Sequence, residues 1–199
     1  MLRYDEKQLV ADLARLPPVL QSAFAAACAQ RVAPCYLRYA RVAHLEWVAP
    51  WLAIQDRLWR DLAGEPRSAD ERNSDAAGAE AFLPSEDEPQ APETYYAEDA
   101  AAALAYAARS RKTADPQEAA WAARRTLEAL DSFIIETKEI QVGTREAEER
   151  IASNPLMQAE LERQHRDLEE VLALGQGNAS ALVEKLRQRA QAESTVFFG

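Results

Sequence analysis

The sequence predicts an all-α fold, a single-domain multi-helix bundle of about eight to ten helices, and three observations carry that prediction. Alanine is used heavily while only 6 of 199 residues are glycine; alanine has the best intrinsic helix propensity and glycine nearly the worst. Apolar residues recur at helical spacing in one segment after another. Alternating β-branched stretches of strand length are absent. A hydrophobic fraction of 48% and a charged fraction of 28% are ordinary for a globular chain, and this one is long enough to bury a substantial core.

Asp5 caps a first helix running to about residue 16, with Leu9, Leu13 and Leu16 on one face. Pro17 and Pro18 end it and restart the chain. The second helix, about 18–32, carries Leu20, Phe24, Ala27 and Cys28 at i, i+4, i+7 and i+8. It is apolar nearly all round and therefore belongs at the centre of the bundle. Pro34 opens a third helix with Tyr36, Tyr39 and Ala43 on one side, and a break at Pro50 starts a fourth, about 50–63. Its stripe is Trp51, Ile54, Leu58 and Leu62, and Gly64 stops it.

Residues 64–94 form an acidic, proline-interrupted central segment with a short helix at about 68–81 and an extended stretch from Pro84 to Pro92. It connects parts of one domain spanning 1–199 and is not a boundary. Helices resume at about 95–112, where Ala100, Ala103, Leu104 and Ala107 offer a face of small residues. Asp115 and Pro116 open a long helix to about 141, striped by Ala120, Ala123, Leu127, Leu130 and Ile134 and ended by Gly143. Thr144 starts the next. Asn154-Pro155 restarts the chain into a helix to about 174 with Leu161, Leu168 and Leu172 inward. Gly175 and Gly177 turn it, and Asn178 caps a last helix bearing Leu182, Leu186 and Ala190. The end, Val196-Phe197-Phe198, is a docked anchor or a frayed tail.

Charge is unevenly spread. The formal net charge is −10, and residues 68–99 hold 10 acids against the single base Arg72. No acid lies between Asp12 and Glu46, a stretch holding Arg15, Arg31, Arg38 and Arg41. An acidic middle and a basic N-terminal third argue against a nucleic-acid surface and allow the two regions to attract each other. The longest nearly uncharged run, residues 16–30, falls short of a membrane span. The start of the chain is unlike a signal peptide, so the expected location is the cytoplasm. Cys28 and Cys35 match neither a redox pair nor a zinc set and are expected as free, buried thiols.

Catalytic, cofactor and metal motifs are not found in the pattern. Phosphate-loop, dinucleotide and nucleophile-elbow signatures are missing. Glu162-x-x-His165 matches half of the pair used in di-iron bundles, but His44 has Arg41 three positions before it where the second half needs a glutamate. His165 falls in register with the leucines of its helix, as a boundary residue on a packed face. Trp51 lies on an apolar stripe and reads as core, whereas Trp59 lies off it and reads as an exposed contact.

Three patches recur in order along the chain: Phe24-x-Ala26-x4-Arg31-x2-Pro34-x-Tyr36, then Tyr95-x-Ala97-x-Asp99-Ala100-x2-Ala103-Leu104, then Asn154-Pro155-x2-Gln158-x-Glu160. In these the chain resembles the YjaG-like family of bacterial proteins. The resemblance implies a helical fold over roughly residues 5–190 and supplies no reaction.

Arg31 and Asp99 belong to these patches and sit among small apolar neighbours, where an unpaired charge is costly. The expectation is a buried pair between them that fixes helix register, with a ligand site including Tyr36 as the alternative. The leading functional expectation is a non-enzymatic cytoplasmic protein-binding or regulatory protein. Its acidic face, Glu86, Asp87, Glu88 and Glu93 with Trp59 beside it, engages a basic partner, as an immunity-type protein would. The competing expectation is an enzyme or small-ligand binder with a polar pocket near Arg31, Tyr36 and Asp99.

Overall fold

The computed structural model describes residues 1–44, 48–83, 92–174 and 178–194. Within them the chain forms nine helices and no strand, an all-α bundle. They are α1 (Glu6–Leu13), α2 (Pro18–Val42), α3 (Val48–Ala63), α4 (Ala69–Glu80), α5 (Pro92–Thr113), α6 (Pro116–Lys138), α7 (Arg145–Ala152), α8 (Pro155–Ala173) and α9 (Ala179–Ser194). Trp47, Glu86, Asp87, Glu88, Gly175, Gly177 and the end from Val196 to Phe198 lie outside the described residues.

Local chemistry sets most helix starts. Asp5 Oδ1 accepts from the Gln8 amide at 3.0 Å, Asp115 Oδ1 from Gln117 at 2.9 Å, Thr144 Oγ1 from Ala147 at 3.1 Å and Asn154 Oδ1 from Leu156 at 2.9 Å. Each satisfies an amide that the first helical turn leaves without a partner. Ser68 and Glu71 add a reciprocal capping box at α4.

Helix α2 is the axle. It buries 17 of its 25 residues and packs against α5, α6 and α9, with α3 and α8 adding smaller contacts. Its alanines, together with those of α5 and α6, let backbones approach closely and build most of the main core. Helices α3 and α4 cover one end, and Tyr36 of α2 stacks on Trp51 (ring centroids 5.0 Å apart) with Phe82 edge-on at 6.1 Å. A second apolar cluster, formed by Leu127, Leu130, Ile134, Ile140, Ala147, Ile151 and Met157, sits between α6, α7 and α8.

Four expectations need correction. Pro34 does not open a helix: α2 runs through it. A proline inside a helix costs about 3 kcal/mol, and burial along the whole length of α2 offsets that. Helix α6 stops at Lys138, before Gly143, because Glu139 takes a left-handed conformation (φ 48°) and closes the last turn. Helix α8 turns Met157, Glu160, Gln164, Asp167 and Val171 inward, while Leu161, Leu168 and Leu172 are only half-buried and His165 is exposed. Trp59 is 1% exposed. It follows Trp51 and Gln55 at spacings of four, so the buried face of α3 is wider than the stripe of four residues.

Replacing Asn154 by alanine removes the α8 cap and is expected to cost about 1 kcal/mol. Thermal melting should show a decrease of roughly 2–4 °C for a chain of this size; an unchanged midpoint would show that the cap contributes nothing.

Candidate functional site

Arg31 has no exposed surface, and its neighbours on α2 are mostly small or apolar, with Cys28 the one that meets its guanidinium. Its acceptors come from elsewhere. Nε donates to Glu160 Oε1 and Oε2 at 3.0 and 2.9 Å, and Nη1 donates to Asp167 Oδ2 at 2.7 Å. Glu193 of α9 stands 3.8 Å from Nη1. Gln164 donates to Glu160 at 3.1 Å and to the Ala123 carbonyl at 3.2 Å, linking the cluster to α6. Arg189 closes the outer side on Asp167 at 2.6 Å, with Arg166 at 3.1 Å.

Burial alone would lower the Arg31 pKa, but Glu160, Cys28 and Asp167 raise it well above its ordinary value. Burial pushes the Glu160 carboxyl up while Arg31 pulls it back. A guanidinium does not deprotonate in proteins, so the pair is ionic. Arranged this way, the charges of Arg31, Glu160 and Asp167 neutralise one another inside the protein. Arg31 and Asp99 are therefore not partners. Asp99 accepts from Arg125 Nη1 of α6 at 2.8 Å, and Arg125 reaches Glu128 at 3.0 Å. Burial nevertheless raises the Asp99 carboxyl to about 6 against the pull of Arg125.

The other predicted residues also have structural surroundings. Tyr36 is buried in the aromatic cluster. Trp59 donates to Gln30 Oε1 at 3.2 Å. Glu93 stands 3.8 Å from Arg38. Neither prominent cleft touches Arg31, Tyr36 or Asp99. Burial pushes the Cys28 thiol up and raises Cys35 to about 12, which disfavours the reactive thiolates. A third hub is Asp61, which bridges α3, α4 and α5 by accepting from Arg72 at 2.8 and 2.9 Å and from Arg111 at 2.9 and 3.2 Å. Burial opposes its ionisation, yet these bonds hold its pKa at about 2.

A cleft of about 840 Å³ opens between the N-terminal segment, α6, α7 and α8. Leu127, Ile135, Ile151, Met157 and Leu161 line it, so its floor is the face of the second apolar cluster. One wall is residues 1–4, tied down where Leu2 and the Gln158 side chain exchange bonds of 2.8 and 3.1 Å and where Tyr4 donates to the Ala120 carbonyl at 2.7 Å. Arg3, Arg124, Arg145, Glu128, Asp131, Glu148 and Glu149 ring it. Arg124 pairs with Glu6 and Glu128, and Arg145 with Glu149. Sequence reasoning missed this site. The only hint was Ala147 and Ile151 on the otherwise charged α7, an apolar face that has to rest on something.

Among known proteins, a family profile described as "Protein of unknown function (DUF416)" matches residues 8–196. A crystal structure of a DUF416 family protein from Shewanella baltica OS155 is similar in fold, with a TM-score of 0.75 at 18% identity over 91% of this chain and 92% of that one. No curated protein matches.

Two consequences can be measured. Arg31→Ala or Glu160→Ala strands a buried charge and is expected to cost roughly 3–5 kcal/mol in chemical denaturation; a loss below about 1 kcal/mol would show that the cluster is not a closed ion pair. For Asp99 the folded pKa lies above its ordinary value of 3.8. The folded state therefore holds the proton more tightly, and this contribution is complete below about pH 4 and lost as pH rises through about 6. Relative to Asp99→Asn, the wild type should lose stability across that window and level off above it; parallel curves would overturn the assignment.

Proposed function

The chain belongs to the DUF416 family of proteins of unknown function, and from that premise we propose that it is a non-enzymatic binding protein that captures a protein partner in the cleft between α6, α7 and α8. The observation that carries this reading is the contrast between the cleft and the rest of the molecule. Its volume of about 840 Å³ lies in the range of binding sites, and its floor is apolar with charged groups at the edge. The ionisable groups that the three sequence patches bring inside are held in internal pairs. The resemblance to YjaG-like proteins is a finer placement, carried by the three patches alone.

The net charge of −10 favours a basic partner and accelerates its approach at low ionic strength. In this reading the acids of 86–93 steer and the cleft holds. The free, buried Cys28 and Cys35 suit a reducing compartment, which makes the cytoplasm the proposed place of action. No helix among the described residues is long and apolar enough to cross a membrane.

Affinity capture from a lysate of the native host tests this. Val142→Arg places charge at an exposed edge of the cleft and should abolish capture without changing melting. Neutralising Glu86, Asp87, Glu88 and Glu93 together should only slow it, as added salt does. Undiminished capture by the cleft variant would remove the cleft from the account and leave the acidic segment as the partner face.

A further inference from the structure

Resting on the cleft as the binding site, we propose that its occupant is an amphipathic helix of a partner protein, which lays an apolar stripe on the floor and sets a lysine or arginine against Asp131. Shape supports a helix. Along α6, Arg124, Glu128, Asp131 and Ile135 follow one another at helical spacing on the cleft wall. That wall is about 16 Å long at 1.5 Å per residue. An elongated apolar groove open to solvent fits the mode in which a partner helix is read through residues at i, i+3, i+4 and i+7.

Charge supports the cation. The half-buried charged groups in the wall, Glu128 and Asp131, are both carboxylates, whereas the exposed mouth carries both signs, with Glu148 and Glu149 as well as arginines. The arginines stand at the mouth, with the Arg124 side chain 54% and the Arg145 side chain 89% exposed, and exposed Arg3 lies on the N-terminal wall. Arg124 and Arg145 are already engaged by acids, and Glu128 holds Arg124 and Arg125. Asp131 has no hydrogen-bond or ion-pair partner among the described residues, and burial, with Glu128 adding, raises its carboxyl. A half-buried carboxylate set without a partner beside an apolar floor carries a desolvation cost. An incoming cation removes that cost, and an incoming carboxylate increases it.

The test uses the full chain and three synthetic amphipathic peptides of about four helical turns, each with a leucine face and a polar face of lysine, glutamine or glutamate. Methyl resonances of Ile135, Ile151 and Met157 report occupancy, and a fluorescence titration reports affinity. The lysine peptide should shift these methyls and bind about tenfold more tightly than the glutamine peptide. Asp131→Asn should erase that advantage, so that the lysine and glutamine peptides bind alike, and should not lower the melting midpoint. Equal binding of lysine and glutamine peptides at the same methyls would overturn the cationic preference while the cleft stands. If no peptide moves these methyls, the cleft reading falls as well. Shifts confined to the neighbourhood of Glu93 would place the cation elsewhere and overturn the inference. Self-association that covers the same methyls would do so by making a second copy the occupant.

Discussion

A guanidinium with no exposed surface has to be enclosed by acceptors, and that requirement organises the C-terminal half of the molecule. Arg31 cannot shed its proton, and α2 offers it only the Cys28 sulfur at 3.5 Å. The carboxylates must be brought from distant sequence. Helix α8 therefore turns a polar stripe inward, Glu160, Gln164 and Asp167, where a helix of its leucine content would ordinarily bury its leucines. The cleft follows from the same rotation. With Glu160 facing α2, Met157 and Leu161 are carried round to the flank, where they join the second apolar cluster and border the opening.

Smaller versions of this arrangement recur. Asp61 gathers Arg72 and Arg111, Asp99 holds Arg125, and Glu118 holds Arg109 at 2.6 Å. Each joins helices that the alanine-rich core brings close without interlocking them strongly. Small side chains pack closely but give little directional preference, so the forked guanidinium–carboxylate pairs specify which helix faces which. Among the described residues Lys185 is the one lysine engaged in an ion pair. Arginine suits this use because its planar fork meets a carboxylate at two points.

Features decided within a few residues were legible in the sequence. The all-α class and the caps at Asp5, Asp115, Thr144 and Asn154 depend on propensity and on a side chain reaching an amide two or three residues ahead. Features decided by packing were not. The cost of burying Arg31 implies that a partner exists without saying which, and although Glu160 stood in the third patch nothing in its spacing tied it to Arg31. Pro34 reads locally as a helix start and is overruled by burial along α2. Trp59 lay one position outside a stripe drawn too narrow. Beyond the apolar Ala147 and Ile151 of α7, the cleft leaves no local trace, since its walls come from four separate stretches of chain.

The separation between Arg31 and its carboxylates also has a consequence in time. Glu160 lies 129 residues and Asp167 136 residues further along the chain. During synthesis α2 is complete long before α8 exists, so a largely apolar helix, with Arg31 at its middle and Arg38 and Arg41 towards its end, must wait in water. Closing so long a loop is entropically costly and slow. Until it closes, Arg31 keeps its hydration shell and holds that part of α2 away from other apolar surfaces. The residue that demands the most elaborate enclosure in the finished protein thus works as a solubilising group in the nascent one, guarding the future core against premature association.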